Sequence, residues 1–124
     1  MADKPRVAVI DDSEIVRVSV EVGLSAEGWE VSQFDNGYGV TNRVKQANPQ
    51  IVLLDVNMPL VTGDKLAGIL RKQLGASVKI LLHSSMSASK LRGKVREAGA
   101  DGYIEKTSDP AQLSRKLNHF LRAP

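Results

Sequence analysis

Five short apolar runs, each stopped by polar or charged residues, constrain this chain more than any other feature. Val7-Ala8-Val9-Ile10 stops at Asp11-Asp12. Trp29 to Phe34 alternates and meets an Asn36-Gly37 turn. Ile51-Val52-Leu53-Leu54 stops at Asp55. Val78-Lys79-Ile80-Leu81-Leu82 runs into His83-Ser84-Ser85, and Tyr103-Ile104-Glu105 runs into Lys106. Short apolar runs bounded by polar and turn residues read as buried strands of a parallel sheet.

Helical patterns fill the gaps. The first spans about Ser13 to Ala26, with Ser13 or Asp12 able to cap it and Gly28 beyond its end. The second spans about Tyr38 to Gln46. The third opens at Gly63-Asp64, carries Leu66, Ile69, Leu70 and Leu74 at helical spacing, and closes at Gly75. The fourth has Ser87 as its cap and an inner face of Leu91, Val95 and Ala98. The last starts at Asp109-Pro110, a cap and first-position pair, and is expected to bury Leu113, Leu117, Phe120 and Leu121. Five βα units of about 25 residues imply an α/β fold: a parallel, doubly wound sheet with right-handed crossovers and helices on both faces. With 124 residues and only short connections, 1–124 reads as one domain.

Composition narrows the chemistry. There are no cysteines, so disulfides, thiolate nucleophiles and zinc–thiolate sites are excluded. No apolar run approaches the roughly 20 residues of a membrane helix, and the first residues lack a secretory pattern. A cytoplasmic protein with no membrane partner is expected. The net charge of +3 is a weak pointer to nucleic acid, because acidic residues are interspersed throughout.

The strand ends carry the chemistry. In a doubly wound sheet the carboxyl ends of the strands line one edge, and the working site lies just outside it. That edge gathers Asp11, Asp12, Asp55, Ser84 and Lys106. Carboxylates that close repel one another by several kcal/mol at an effective dielectric near 20, so a cation is needed between them. Oxygen ligands with retained waters suit Mg²⁺. A carboxylate beside Mg²⁺ is a plausible nucleophile toward a phosphoryl group, with Lys106 and Ser84 holding the transferred oxygens.

These residues, with Met58-Pro59 and Gly63 after Asp55 and with Gly99-Ala100-Asp101-Gly102-Tyr103 before Lys106, give the sequence its resemblance to a known family. It resembles the receiver domain of two-component response regulators, the chemotaxis-regulator fold, over essentially its whole length. The resemblance implies a flavodoxin-like strand order 2-1-3-4-5. It implies that Asp55 accepts phosphate from the phosphohistidine of a sensor histidine kinase or phosphotransfer protein. Asp12, Asp55 and the Asn57 backbone carbonyl would bind Mg²⁺ directly, and Asp11 mainly through water. Lys106 would pair with the phosphorylated carboxylate, Ser84 would hydrogen-bond a phosphate oxygen, and Ser84 with Tyr103 would form the switch. The output partner, a protein, would dock on the fourth helix, last strand and last helix. Such a domain is a signalling module, not an enzyme, beyond self-phosphorylation and self-dephosphorylation.

Several positions depart from the family pattern or fall outside it. Thr107 follows Lys106, where the family usually has proline after a cis bond. Without proline, cis costs about 3–4 kcal/mol, so a trans Lys106–Thr107 bond is expected. Met86 stands two residues after Ser84, where many relatives carry a polar or charged residue, and borders the path of an attacking water. His83 should point away from Ser84 by strand alternation and be packed or partly exposed, not catalytic. On the first helix, Val16, Val20 and Leu24 form one apolar stripe. Ile15, Val18 and Val22 form a second: covered by neighbours, tolerated as isolated exposed apolar residues, or a docking face for a phosphodonor protein. Lys90, Arg92, Lys94 and Arg96 make the fourth helix basic, which would suit an acidic protein partner better than nucleic acid. The chain shows no effector domain, so it reads as a stand-alone regulator or a receiver excised from a longer protein.

Other classes remain in view. A phosphohydrolase with an aspartyl-phosphate intermediate would need a second aspartate two residues after the nucleophile. Asn57 stands there and cannot transfer protons. A receiver-like binding module that never takes phosphate is opposed by the complete acidic set and left open by Thr107. A dinucleotide-binding domain fails because Val9-Ile10-Asp11-Asp12-Ser13 lacks the glycine loop.

Overall fold

A computed structural model describes residues 3–36, 39–58 and 63–122. Ten elements alternate along the chain. They are β1 Arg6–Ile10, α1 Glu14–Ala26, β2 Glu30–Phe34, α2 Val40–Ala47, β3 Ile51–Asp55, α3 Gly63–Leu74, β4 Lys79–Ser84, α4 Ala88–Ala98, β5 Gly102–Glu105 and α5 Pro110–Arg122. The strands form one sheet in the order β2-β1-β3-β4-β5. Every neighbouring pair is parallel. The expected doubly wound sheet and its order are what the structure has.

Strand alternation divides the core into two layers. Val7, Val9, Ile51, Leu53, Leu81 and Ile104 pack against α1 and α5 through Val20, Leu24, Leu113 and Leu117. Ala8, Ile10, Val52, Leu54, Ile80 and Leu82 pack against α2, α3 and α4 through Val44, Leu66, Leu70 and Leu91. Because β3 lies at the centre of the sheet, all of its residues are buried. That burial carries Asp55 to the rim still inside the protein.

Some boundaries moved. The second helix starts at Val40, not Tyr38, because Gly39 adopts a left-handed φ of 74° as its N-cap. Gly37 and Tyr38 lie outside the described residues, as do Pro59 and the chain end. The fourth strand runs two residues further than Leu82, because His83 and Ser84 continue to pair with Ile104 and Glu105 of β5. Ile69 is exposed rather than part of the inner face of α3. Phe120 and Leu121 are only half-buried, with the Phe120 ring lying over Gly102 of the edge strand β5. Ser87 occupies the N-cap position of α4 without capping it, since its hydroxyl pairs with Ser89 instead. No helix of the described residues is long and apolar enough to cross a membrane.

Candidate functional site

At the carboxyl edge β1 delivers Asp11, which is 1% exposed, and β3 delivers Asp55, which is 6% exposed. Asp12 stands beside them in the solvent. One carboxylate oxygen from each of the three lies within 4.8 Å of the others. Lys106, just past β5, closes the group: its Nζ is 3.1 Å from Asp11 Oδ2 and 3.5 Å from Asp55 Oδ1.

Local geometry explains why these groups hold their places. Ser13 caps α1, accepting from the Val16 N–H at 3.3 Å, and its own N–H donates to Asp11 Oδ1 at 2.9 Å. Arg17 donates to the Asp11 carbonyl at 2.7 Å, a contact no spacing rule would have singled out. Asp55 Oδ1 accepts the Asn57 N–H at 3.4 Å and so turns the chain out of β3. The Lys106 N–H donates to the Ser84 carbonyl at 2.8 Å, which ties the end of β5 to the end of β4.

The electrostatics are unfinished. Burial raises the Asp55 pKa above its ordinary value of 3.8, and the charge of Asp11 adds to that. Lys106 and the Asn57 N–H pull it back, while Asp12 adds a smaller upward push. Asp11 Oδ2 is fully buried and has no hydrogen-bond partner among the described residues; the Lys106 ion pair compensates it. Three clustered carboxylates, one orphaned oxygen and a single ammonium leave room for a further positive charge. Hard oxygen donors of this kind fit a divalent cation such as Mg²⁺.

Ser84 is buried at the end of β4. Its Oγ accepts the Met86 N–H at 3.1 Å, which leaves the hydroxyl proton available to donate. Tyr103 is half-buried and packs against the α3 and α4 side of the core. His83 is 3% exposed and packs on the opposite side of the sheet from Ser84. Burial, and then the charge of Lys106, lower its pKa from 6.5 to about 4, so it is a neutral packed residue. The Lys106–Thr107 bond is trans, there being no cis peptide among the described residues. On α1, Ile15 is 83% exposed and Val22 66%, so neighbouring segments do not cover the second stripe.

Comparison with known proteins agrees with this geometry. The response regulator receiver domain family matches residues 7–118. The transcriptional regulatory protein PrrA of Mycobacterium leprae is 34% identical over 118 residues, covering 95% of this chain and 50% of that protein. The chain thus spans about half the length of the curated relatives it matches. The chemotaxis protein CheY4 of Vibrio cholerae superposes with a TM-score of 0.82 at 25% identity, covering 94% of this chain and 98% of that one. A chain from the crystal structure of histidine kinase ThkA in complex with response regulator protein TrrA superposes with a TM-score of 0.79 at 28% identity, covering 96% of this chain and 99% of that one. With a family match over nearly the whole sheet and its helices, this chain belongs to the response regulator receiver domains of two-component signalling.

Proposed function

We propose that the chain, read as one receiver domain, accepts a phosphoryl group on Asp55 and uses it to change a protein-binding face. The observation that carries this is Asp55 itself. It is a buried carboxylate at the end of the central strand, 3.5 Å from Lys106 and clustered with Asp11 and Asp12. The donor is the phosphohistidine of a sensor histidine kinase or phosphotransfer protein. A carboxylate oxygen of Asp55 attacks phosphorus, the P–N bond breaks, and the imidazole leaves with its electron pair and takes a proton from solvent.

Asp12, Asp55 and the Asn57 backbone carbonyl would hold Mg²⁺ directly, with Asp11 acting mainly through water. The ion supplies charge neutralisation for the phosphoryl oxygens as they approach the carboxylates. Lys106 offers its ammonium to an oxygen of the transferring group, within reach of Asp55. Ser84 can turn its free proton toward another oxygen while still accepting from Met86. Tyr103, half-buried beside α4, is the residue whose packing would answer the movement of Ser84. The output partner is a protein that reads α4, β5 and α5, where basic side chains on α4 suit an acidic surface. The exposed apolar row Ile15, Val18 and Val22 suits the phosphodonor protein.

Acetyl phosphate with Mg²⁺, followed by borohydride, tests the acceptor directly. Reduction of an acyl phosphate at Asp55 converts that residue to homoserine, and peptide mapping would find it at position 55. Homoserine at Asp11 or Asp12 instead would reassign the acceptor, and none at any aspartate would refute the reading.

A further inference from the structure

We infer that Thr107 is a positioning residue for Lys106, setting the reach of its ammonium through the Thr107 hydroxyl. This rests on the phosphoacceptor reading above. Four residues, Lys106 to Asp109, separate the end of β5 from the first residue of α5, and Thr107 is the second of them. The Lys106 N–H is already bound to Ser84. The following peptides have freedom unless something holds them. Thr107 Oγ1 accepts the Asp109 N–H at 3.1 Å, a tight hydroxyl turn, and donates to Gln112 Oε1 at 2.9 Å.

Asp109 in turn caps α5, accepting from Ala111 N–H at 3.1 Å and Gln112 N–H at 3.4 Å. In an ordinary capping box the third helical side chain reaches back to the cap amide itself. Here the Thr107 hydroxyl stands between the two and couples the residue next to Lys106 to the helix start. The far end of the loop is held independently. Pro110 sits so close over α1 that a β-carbon at Gly23 would lie 2.8 Å from Pro110 Cγ. With the loop fixed at both ends, the Lys106 stem leaves from a set direction, and its Nζ spans Asp11 and Asp55. Without the hydroxyl, the ammonium would visit that position only part of the time.

The test measures acetyl phosphate phosphorylation at saturating Mg²⁺ for wild type, T107V, T107S, Q112L and T107V/Q112L. Rates are scaled to folded fraction by urea melts, and Mg²⁺ affinity is read separately by calorimetry. T107V removes both hydrogen bonds of the hydroxyl; loss of the one to Gln112, which couples the loop to α5, predicts a rate about fivefold slower. T107S should restore the rate to within about twofold, less than half the energy of one such bond. Q112L should slow it as T107V does, the double variant should be no slower than T107V, and Mg²⁺ should bind no more weakly. Q112L breaks the same bond from the helix side and carries the test should T107V not fold. A wild-type rate in T107V and Q112L, a serine variant as slow as valine, additive losses in the double variant, or weakened Mg²⁺ binding would each overturn the inference. Wild type that takes no phosphoryl group at all would overturn the phosphoacceptor reading itself.

Discussion

The two edges of this sheet are built from similar residues and treat them in opposite ways. At the amino edge Arg6, Arg71 and Asp101 meet partners. Arg6 donates its N–H to Gln50 Oε1 at 2.9 Å and its Nε to the Asn48 carbonyl at 2.7 Å. Arg71 reaches the carbonyls of Gly75 and Val78 and pairs with Asp101, whose Oδ2 also accepts the Ile80 N–H. These bonds stitch the end of α3, the start of β4 and the turn before β5 together. At the carboxyl edge three carboxylates cluster beside one ammonium that pairs with two of them, and the one buried side-chain atom without a hydrogen bond among the described residues is there. The difference separates two uses of polar groups. Matched, they fix the fold; crowded and unmatched, they hold a site ready for a ligand of opposite charge.

The comparison can be broken at either edge. The largest effect should come from His83, buried behind the carboxyl edge. Its folded pKa, about 4, lies below the ordinary 6.5, so the unfolded chain binds more protons between those values. Stability contributed by neutral His83 is therefore present above pH 6.5 and lost as pH falls through about 4. Wild type should lose roughly 3 kcal/mol more than His83→Leu over that window. Parallel pH profiles for the two proteins, from chemical denaturation, would contradict it.

Next comes the amino edge. Asp101→Ala leaves the Ile80 N–H without its acceptor and Arg71 without its ion-pair partner, and should destabilise by about 2 kcal/mol. It should leave Mg²⁺ affinity within error of wild type by calorimetry. A loss of metal binding would mean that the edges are not independent.

The smallest effect has the opposite sign. Asp55 has a folded pKa above 3.8, so over the range just above that value the folded state binds more protons and stability falls as pH rises. At neutral pH the ionised carboxylate is destabilising. Asp55→Asn should then stabilise the apo protein by on the order of 1 kcal/mol at pH 7, the scale of one poorly matched buried group. The gain should vanish as pH approaches 3.8. Mg²⁺ should narrow the gap by stabilising wild type alone. A destabilised Asn variant in thermal melts would place Asp55 with the matched residues of the other edge.

Much of this was legible in the sequence, for reasons that differ by element. The strands of the sheet centre were plain because burial on both faces demands continuous apolar runs such as Ile51 to Leu54, and the polar stop then marks the working edge. The edge element β5 and the end of β4 were less so. His83 and Ser84 are polar, and pairing with β5, joined at His83 by pairing with Asp55 of β3, keeps them in strand conformation. The site residues were legible because each ends a strand. What holds them was not. Arg17 on the Asp11 carbonyl and Thr107 on Gln112 depend on the path of loops, which no periodicity records. Ile69 was misread because helical spacing finds a stripe without saying how wide the covered face is.

The central claim is that Asp55 takes a phosphoryl group in a cation-dependent site. Its most direct test is intact-protein mass after incubation with acetyl phosphate, with and without Mg²⁺, for wild type and Asp55→Asn. The account predicts one added phosphoryl group on wild type, only with Mg²⁺, and none on the variant. An unmodified wild-type mass, together with no binding of beryllofluoride in the presence of Mg²⁺, would contradict it.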